Sequence, residues 1–285
     1  MKVGFIGAGR MTQRRLDNLP VGWEPVAIYT HDKITDRYAG RDIDALLVPS
    51  PAEVIDQSDL VIVATPHVYL NDYAWQIYDA GKRVFVEKPG GIPGDKPLPP
   101  CKVGYNHRFW PGIQVAKHAI TGEILHIRGV YGHGNADRLW RMDPKLSGGG
   151  EFLDQGSHLI DLTRFFVGDV MLSHAMLTTG TWDTELEDTA HFILRAGITV
   201  IQHSVSWCEW APIFRFEIIT KNEKIVVEGF PWQRQTITVT NRNGTSRWIG
   251  NWQKDHSLRL ELSAKDGATS EDAQAVLVII GEAYG

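Results

Sequence analysis

Apolar and polar positions in the first third of the chain change their period repeatedly. Short apolar runs of the length of buried strands are separated by stretches in which apolar residues recur at helical spacing. Strands that alternate with helices predict a parallel, doubly wound α/β sheet, in which ligands bind at the carboxyl ends of the strands. The predicted strands cover residues 2–6, 25–30, 44–48, 59–66 and 83–89.

Two helices are predicted between these strands. The first runs from about Arg10 to Leu19 and is stopped by Pro20, because proline cannot continue a helix. The second covers residues 69–81 and ends at Gly81, which serves as its C-cap.

After residue 122 the pattern changes to strand-like segments joined by short turns. They predict a largely antiparallel sheet of about six strands, in an α+β domain. A glycine hinge and an amphipathic helix at residues 148–166 are expected to lie on one face of that sheet. We therefore predict two domains, residues 1–104 and residues 105–285. The strand-like segments cover residues 124–134, 171–182, 188–196, 198–207, 213–220, 223–230 and 235–240.

Composition supports a globular chain with two domains. Of 285 residues, 43% are hydrophobic and 22% are charged, which leaves ample material for two cores. The net charge of −5 argues against a nucleic-acid partner, and the short apolar runs argue against a membrane role. The chain has only two cysteines, Cys101 and Cys208, so a reducing compartment and a cytoplasmic location are expected.

A glycine turn follows the first predicted strand at once. Gly7 and Gly9 lie between a strand and a helix, where a backbone turn cradles the phosphates of a dinucleotide. Thr12 occupies the place of the third glycine of the usual pattern. The residues expected at the cofactor-binding strand ends are Gly7, Ala8, Gly9, Arg10, Met11, Thr30, His31, Thr65, Pro66, His67, Glu87 and Lys88.

The tip of the second predicted strand bears on the type of dinucleotide. Thr30 takes the position at which an acidic residue usually binds the ribose hydroxyls of NAD. His31 and Lys33 supply positive charge, which favours the 2′-phosphate of NADP. Asp32 is still able to reach a ribose, so NAD stays an alternative.

Five motifs occur in the order and spacing of one known family. The chain resembles the glucose–fructose oxidoreductase and inositol dehydrogenase family. This resemblance implies an N-terminal Rossmann domain, a C-terminal domain with an open sheet, an NAD(P)-dependent oxidoreductase activity on sugars or inositols, and a homodimer or homotetramer formed through that sheet. The motifs are "GFIGAGRM" (4–11), "VEKP" (86–89), "VGYNHRF" (103–109), "GGGEFLDQGSHLIDLTRFFVG" (148–168) and "TSEDAQAVLVIIGEA" (269–283).

The same resemblance implies catalytic roles. Lys88 would approach the substrate hydroxyl and the nicotinamide, and Asp154 and His158 match the catalytic D-x-x-x-H helix of the family. At positions i and i+4, the last two share one helix face. An imidazole titrates near neutral pH and suits a general base, while an ammonium stabilises a developing alkoxide. Glu87 and the turn at residues 65–67 would line the nicotinamide.

Other residues are candidates for binding the substrate. Asn106 and Arg108 lie in the matching "NHRF" segment. Trp140 is suited to stack on a sugar ring or a base, and Arg141 to hold an anionic group, with packing and solvation as the alternative interpretation. The glycines before the catalytic helix are expected to give substrate and cofactor room. No metal site is predicted, because the histidines at positions 31, 67 and 107 lack ligand spacing.

The stretch from Gly90 to Pro100 departs from the family pattern. Four prolines and three glycines cannot form the helix that the family has there. A loop is expected instead, on a trimmed face of the sheet that exposes an apolar patch, with oligomerisation or lower stability as consequences.

Three functions stay open at this stage. The favoured one is an oxidoreductase that acts on a nucleotide-linked or acidic sugar. A dehydrogenase of a free polyol, inositol or aldose is the second. The third is a non-catalytic regulator that senses the dinucleotide and contacts a protein, for which the Lys88, Asp154 and His158 set would not be needed.

Overall fold

The computed structural model describes residues 1–31, 46–134, 139–250 and 255–285. By contacts between residues, this part of the chain divides into two compact units. The segment Leu258–Ala275 returns to the first unit, which a single boundary after residue 104 does not anticipate. The first unit consists of Met1–Tyr105 with Leu258–Ala275, and the second of Asn106–Ser257 with Val276–Gly285.

The first unit contains a five-stranded sheet made of β1 (Lys2–Ile6), β2 (Glu24–Tyr29), β3 (Leu60–Val63), β4 (Arg83–Glu87) and β5 (Lys102–Gly104). The strands are arranged in the order β2-β1-β3-β4-β5, and every neighbouring pair is parallel. All four residues of β3 are buried, as expected for a strand covered on both faces. The predicted parallel, doubly wound sheet is confirmed.

The strand predicted at residues 44–48 is not a strand in the described part of the chain. Residues 44 and 45 lie outside the described residues. Of the remaining three, only Leu47 forms an isolated parallel bridge, with Ile28 of β2. The backbone N–H of Val48 then donates to the carbonyl of Ile28 at 3.0 Å.

Three helices of the first unit are α1 (Arg10–Asp17), α2 (Pro51–Gln57) and α3 (Leu70–Asp79). The predicted helices at residues 10–19 and 69–81 are confirmed, with ends one or two residues shorter. The sequence reasoning did not identify α2, although its start carries a cap. The hydroxyl of Ser50 accepts a hydrogen bond from the backbone N–H of Glu53 at 3.3 Å.

The stretch between β4 and β5 is a loop, as predicted, but it is pinned to the unit. The side chain of Asn71 on α3 donates to the carbonyl of Lys96 at 2.7 Å, and the indole of Trp75 donates to that of Pro97 at 3.0 Å. Leu98 is buried. The expectation of an exposed apolar patch is wrong, because Phe85, Val86 and Val103 of the neighbouring strands are buried as well.

The free edge of β5 is paired by the chain that returns near its C-terminal end. The backbone N–H of Val103 donates to the carbonyl of Ala268 at 2.9 Å, and that of Ser270 donates to Cys101 at 3.0 Å. These hydrogen bonds satisfy a strand edge that would otherwise be open to pairing with other chains.

The second unit contains an eight-stranded sheet made of β6 (Ile124–Gly132), β7 (Met171–Thr178), β8 (Thr189–Ala196), β9 (Thr199–Ser206), β10 (Ile213–Thr220), β11 (Glu223–Gly229), β12 (Gln235–Asn241) and β13 (Gly244–Gly250). Its order is β13-β12-β11-β10-β6-β9-β8-β7. All pairs are antiparallel except β6 with β9. The predicted mostly antiparallel sheet is confirmed.

The expected count of about six strands is wrong, because the sheet has eight. The strand missing from the predictions is β13, in which every residue from Gly244 to Ile249 is exposed. An edge strand with no buried face lacks the alternation of apolar and polar residues that identifies strands in a sequence.

The remaining helices are α4 (Pro111–Ala119), α5 (Leu139–Met142), α6 (Pro144–Ser147), α7 (Ser157–Val167), α8 (Ser257–Ser263) and α9 (Ser270–Tyr284). A π-helical segment, Phe152–Gly156, leads directly into α7. The hydroxyl of Thr163 on α7 lies 2.7 Å from the imidazole of His203 on β9, so this helix packs on the sheet as predicted. No helix in the described residues is long and apolar enough to cross a membrane.

Candidate active site

The glycine turn after β1 has two glycines with different structural reasons. Gly7 has a φ of +100°, and a Cβ there would lie 2.4 Å from the carbonyl oxygen of Ala64. The fold itself therefore requires a glycine at this position. A Cβ on Gly9, the N-cap of α1, would lie within 4 Å of no atom of the described residues. Packing among those residues does not explain Gly9, whereas close approach of a ligand would.

Thr12 braces this turn in place of the usual third glycine. It is fully buried, and its hydroxyl donates to the carbonyl of Gly7 at 2.6 Å. A small polar residue is thus accommodated at the helix–strand contact. Arg10 and Met11 occupy the first turn of α1, which has no acidic residue to oppose a bound phosphate. The open side of Gly9 and this helix start fit the pyrophosphate of a dinucleotide.

The tip of β2 contributes Thr30 and His31. The imidazole of His31 lies 3.0 Å from the hydroxyl of Tyr73 on α3 and 3.1 Å from that of Tyr29. Desolvation raises the pKa of Tyr73 above its ordinary value. Lys33, which favours NADP in the sequence, and Asp32, which keeps NAD as the alternative, lie outside the described residues.

The end of β3 leads into a short turn. The hydroxyl of Thr65 donates to the carbonyl of Pro66 at 3.2 Å, and Pro66 precedes a single 3₁₀ turn, His67–Tyr69. His67 is buried. These residues lie at the carboxyl edge of the sheet, next along the sheet from the glycine turn after β1.

Glu87, the last residue of β4, is held in a buried ion-pair cluster. Its Oε1 accepts from Nε of Arg15 at 2.6 Å, and Nη2 of Arg15 lies 2.8 Å from Oε2 of Glu261. Nη1 of Arg15 donates to the carbonyl of Leu258 at 3.2 Å. The guanidinium carbon also lies 4.5 Å from the centroid of the Phe85 ring.

This cluster joins α1, β4 and α8 within the first unit. Burial opposes the charge of Arg15, but attraction to Glu87 and Glu261 outweighs burial and raises the pKa of Arg15. The sequence reasoning missed Arg15 and Glu261, because their partner is remote in the chain. Lys88 follows Glu87 directly and is partly buried. The roles of Glu87 and Lys88 toward a nicotinamide stay predictions.

Asp154 and His158 lie on the segment that passes from π-helix to α7. Both are buried, with 1% and 4% of their surface exposed. Oδ2 of Asp154 pairs with Nε of Arg141 at 3.1 Å. The structure thus joins two predicted site residues, and the charge of Arg141 is directed at a protein carboxylate. π-Helical turns occur preferentially at functional sites.

His107 lies beside the predicted catalytic histidine. Its ring stacks on that of His158, with centroids 3.7 Å apart and an interplanar angle of 10°. The ring of His107 also contacts Trp110, at a centroid distance of 3.8 Å. No local pattern in the sequence indicates this stacking of His107, whose only predicted alternative was a metal ligand.

Arg108 forms a buried, bidentate ion pair with Asp161 of α7. Its Nη2 lies 2.5 Å from Oδ1, and its Nε lies 2.9 Å from Oδ2. Asn106 donates to the hydroxyl of Ser257 at 2.8 Å. Both side chains therefore contact the protein itself, and their predicted contact with substrate stays a prediction.

Trp140 is partly buried, and the guanidinium of Arg141 lies 5.3 Å from its ring centroid. Within the second unit, Arg141 pairs with Asp154 and His107 stacks on His158, and the one segment at residues 152–167 carries both Asp154 and His158. In the described residues, no group of three His, Cys, Asp or Glu side chains is placed to hold a metal ion.

Two family models match the chain. The model described as "Oxidoreductase family, NAD-binding Rossmann fold" matches residues 1–92. The model described as "GFO/IDH/MocA C-terminal domain" matches residues 114–226. The matched residues amount to more than two thirds of the chain.

Two known proteins are similar to parts of the chain, with fewer than a third of the aligned residues identical. It is 29% identical over 147 residues to levoglucosan dehydrogenase of Pseudarthrobacter phenanthrenivorans, covering 44% of this chain and 38% of that protein. It is 25% identical over 185 residues to glucose-6-phosphate 3-dehydrogenase of Bacillus subtilis, covering 58% and 53%. The chain thus spans about half or less of these relatives' length.

One solved structure extends the likeness in fold to the whole chain. UDP-N-acetylglucosamine 3-dehydrogenase GnnA from Acidithiobacillus ferrooxidans superimposes with a TM-score of 0.78 at 18% identity. The match covers 100% of this chain and 95% of that one.

Proposed function

We propose a function from the premise that the chain belongs to the GFO/IDH/MocA family of oxidoreductases. It is an NAD(P)-dependent enzyme that oxidises or reduces a secondary alcohol or ketone of a sugar. The observation that carries the proposal is the turn at Gly9. A side chain at Gly9 would fit among the described residues, so packing does not require glycine there. The adjoining start of α1 offers backbone N–H groups to a phosphate.

The cofactor would be held by the carboxyl ends of the first unit's strands. Gly7, Gly9 and the first turn of α1 would bind the pyrophosphate. His31 at the tip of β2 supports NADP as the preferred form, because an imidazolium would attract a 2′-phosphate. When bound, the nicotinamide exchanges a hydride with the carbinol carbon of the substrate.

The chain's own part in the reaction is to move one proton. In the oxidative direction the substrate hydroxyl would lose its proton to the imidazole of His158. The ammonium of Lys88 would stabilise the developing alkoxide. Asp154 would hold a neighbouring sugar hydroxyl or orient the imidazole, with its carboxylate fixed by Arg141.

The substrate class we propose is a sugar derivative that carries a nucleotide or an acidic group. Two of the proteins named above, glucose-6-phosphate 3-dehydrogenase and UDP-N-acetylglucosamine 3-dehydrogenase, are named for sugars that carry a phosphate or a nucleotide, which supports this class. Levoglucosan dehydrogenase is named for a sugar with neither group. A free polyol, inositol or aldose is the competing substrate class.

We further propose that copies of the chain associate through the outer face of the second unit's sheet. Exposed apolar side chains on β7, β8 and β9 share one face of the sheet. Met176 on β7 lies opposite His191 on β8. Ile193 is two residues further along β8 and therefore lies on the same face as His191. Val200 pairs with Arg195 on that same side. The variant Ile193→Glu should shift the protein to monomers in light scattering, whereas an unchanged mass would exclude this interface.

The activity is tested by mixing the protein with NADPH or NADP and a panel of sugar phosphates, nucleotide sugars, uronic acids, inositols and free aldoses. We expect a change in the absorbance of the reduced nicotinamide with at least one of them. The rate of that change should fall by at least about 10²-fold in the variants Lys88→Met and His158→Asn. The exposed Lys265→Met and His118→Asn are matched controls that should keep full activity.

Two outcomes would count against this proposal. Turnover that survives in both site variants would remove Lys88 and His158 from the mechanism. Tight cofactor binding without turnover of any sugar would instead favour a regulator that senses the dinucleotide.

A further inference from the structure

Two of the three glycines before the π-helical segment, Gly149 and Gly150, leave room for protein atoms. A Cβ on Gly150 would lie 2.0 Å from the carbonyl oxygen of Glu187, and one on Gly149 would lie 2.5 Å from the hydroxyl of Tyr284. Packing therefore gives these two glycines a structural reason of their own, and the expected room for substrate and cofactor stays a prediction. The two glycines allow the segment that carries Asp154 to pack directly on Glu187 and on the end of α9.

Glu187 receives several hydrogen bonds from this segment. Its Oε1 accepts from the backbone N–H of Gly150 at 2.9 Å and of Phe152 at 3.1 Å. The hydroxyl of Tyr284 donates to the same oxygen at 2.7 Å. The backbone N–H of Glu151 donates to the main-chain carbonyl of Glu187 at 3.0 Å. Three consecutive residues are thus fixed by one partner.

The arrangement is costly, since it keeps a carboxylate almost entirely out of water. Burial raises the pKa of Glu187 above its ordinary value, although the hydrogen bonds from Tyr284 and the backbone oppose that rise. Backbone N–H groups at the start of a helical segment have no partner within the helix and attract negative charge. The carboxylate of Glu187 supplies this negative charge at the backbone N–H of Phe152, two residues before Asp154.

We infer that Glu187, held in turn by Tyr284, is a positioning residue that fixes Asp154 and His158 for the proton transfer. The inference rests on the proposed function for the identity of the reaction. A π-helical turn has a wider path than an α-helix and is uncommon. Its register therefore depends on contacts outside the helix, and Glu187 provides them on the side that precedes Asp154.

The hydrogen bonds of Glu187 to the backbone of residues 150–152 and to Tyr284 are called the brace. Hydrogen exchange tests the brace without reference to activity. Tyr284→Phe removes only the hydroxyl, and Tyr78→Phe, at an exposed position on α3, is its matched control. Loss of a hydrogen bond to a charged group should speed exchange of the peptide at residues 149–157 about tenfold. Exchange of α4 should not change. Unchanged exchange at 149–157, or equal acceleration throughout, overturns the inference.

Kinetics test the consequence for the reaction. Glu187→Gln and Tyr284→Phe should each lower kcat about tenfold and leave the KM for the dinucleotide unchanged, because the brace touches none of the cofactor-binding residues. The exposed Glu185→Gln should behave as the wild type. A rise in cofactor KM with constant kcat, or a fall in kcat that only follows the fraction of folded protein, contradicts a positioning role.

The two proposals fail in different ways. If the wild type transfers no hydride with any sugar, the proposed function fails, and the exchange experiment still decides whether Glu187 and Tyr284 brace the segment. If the wild type is active and both variants match it in kcat and in exchange, only the brace is excluded.

Discussion

Replacing Gly7 and Gly9 with alanine separates the needs of the fold from those of the cofactor. At Gly7 the alanine must adopt a positive φ, which costs about 1–3 kcal/mol. Its Cβ would also lie 2.4 Å from a backbone oxygen, so β1 or the Ala64 peptide must shift. Gly7→Ala should therefore lower the free energy of unfolding by at least about 2 kcal/mol, taking both costs together.

At Gly9 the balance differs. The backbone, at φ −85° and ψ −173°, suits any residue, and the new Cβ meets no atom of the part of the chain that the structure describes within 4 Å. Alanine is a poorer N-cap than glycine by under about 1 kcal/mol. Reduced freedom of the unfolded chain returns about 0.4–1 kcal/mol. The net change in stability should be close to zero.

Binding of the dinucleotide, unlike stability, should be sensitive to the Gly9→Ala substitution. A methyl group on the open side of Gly9 would occupy the space into which a pyrophosphate must come. We expect Gly9→Ala to weaken NADPH binding at least about tenfold, or 1.4 kcal/mol. NADPH fluorescence gives the Kd and thermal melting gives the stability. A Gly9→Ala protein that binds NADPH like the wild type would refute this assignment of the turn.

Three further predictions concern buried charges. Burial lowers the pKa of His203 to about 3, so its unfolded form binds a proton below about pH 6.5 and its folded form does not. Stability should fall as the pH drops from 6.5 toward 3, and urea titrations of His203→Gln should show a shallower fall; an equal slope would exclude this histidine. Asp161→Asn leaves Arg108 buried without its carboxylate and should cost about 3–5 kcal/mol in urea unfolding. A change under about 1 kcal/mol would show that this pair is solvated. Arg15→Met leaves two buried carboxylates and should lower the melting temperature, with partial recovery on adding Glu261→Gln; no recovery would contradict the charge argument.

Apolar periodicity predicted most of the fold. β1, β3 and β4 are short apolar runs next to glycine or polar turns, and the sheet of the second unit follows from alternation along β8 and β9. The strand expected at residues 44–48 failed because a short apolar run does not specify a pairing partner. β13 escaped because it has no buried side to produce a pattern.

The site was predictable only as far as its motifs were local. The segment with Asp154 and His158 is continuous in sequence, and it is helical as predicted, with a π-helical turn that leads into α7. The contacts that hold it join residues remote in the chain, such as His107 with His158 and Glu187 with Gly150. Local spacing contains no information about such pairs, and π-helix cannot be told from α-helix by apolar spacing.

Transfer of an isotope label tests the central claim most directly. NADPH that carries deuterium at the transferable position of the nicotinamide is incubated with the protein and keto forms of the sugars in the panel. We predict that mass spectrometry finds the label on a carbinol carbon of one sugar with the wild type, and at least about 10²-fold less of it in the same time with His158→Asn. If the cofactor binds and its label stays on the nicotinamide with every sugar, the chain does not perform the proposed reaction.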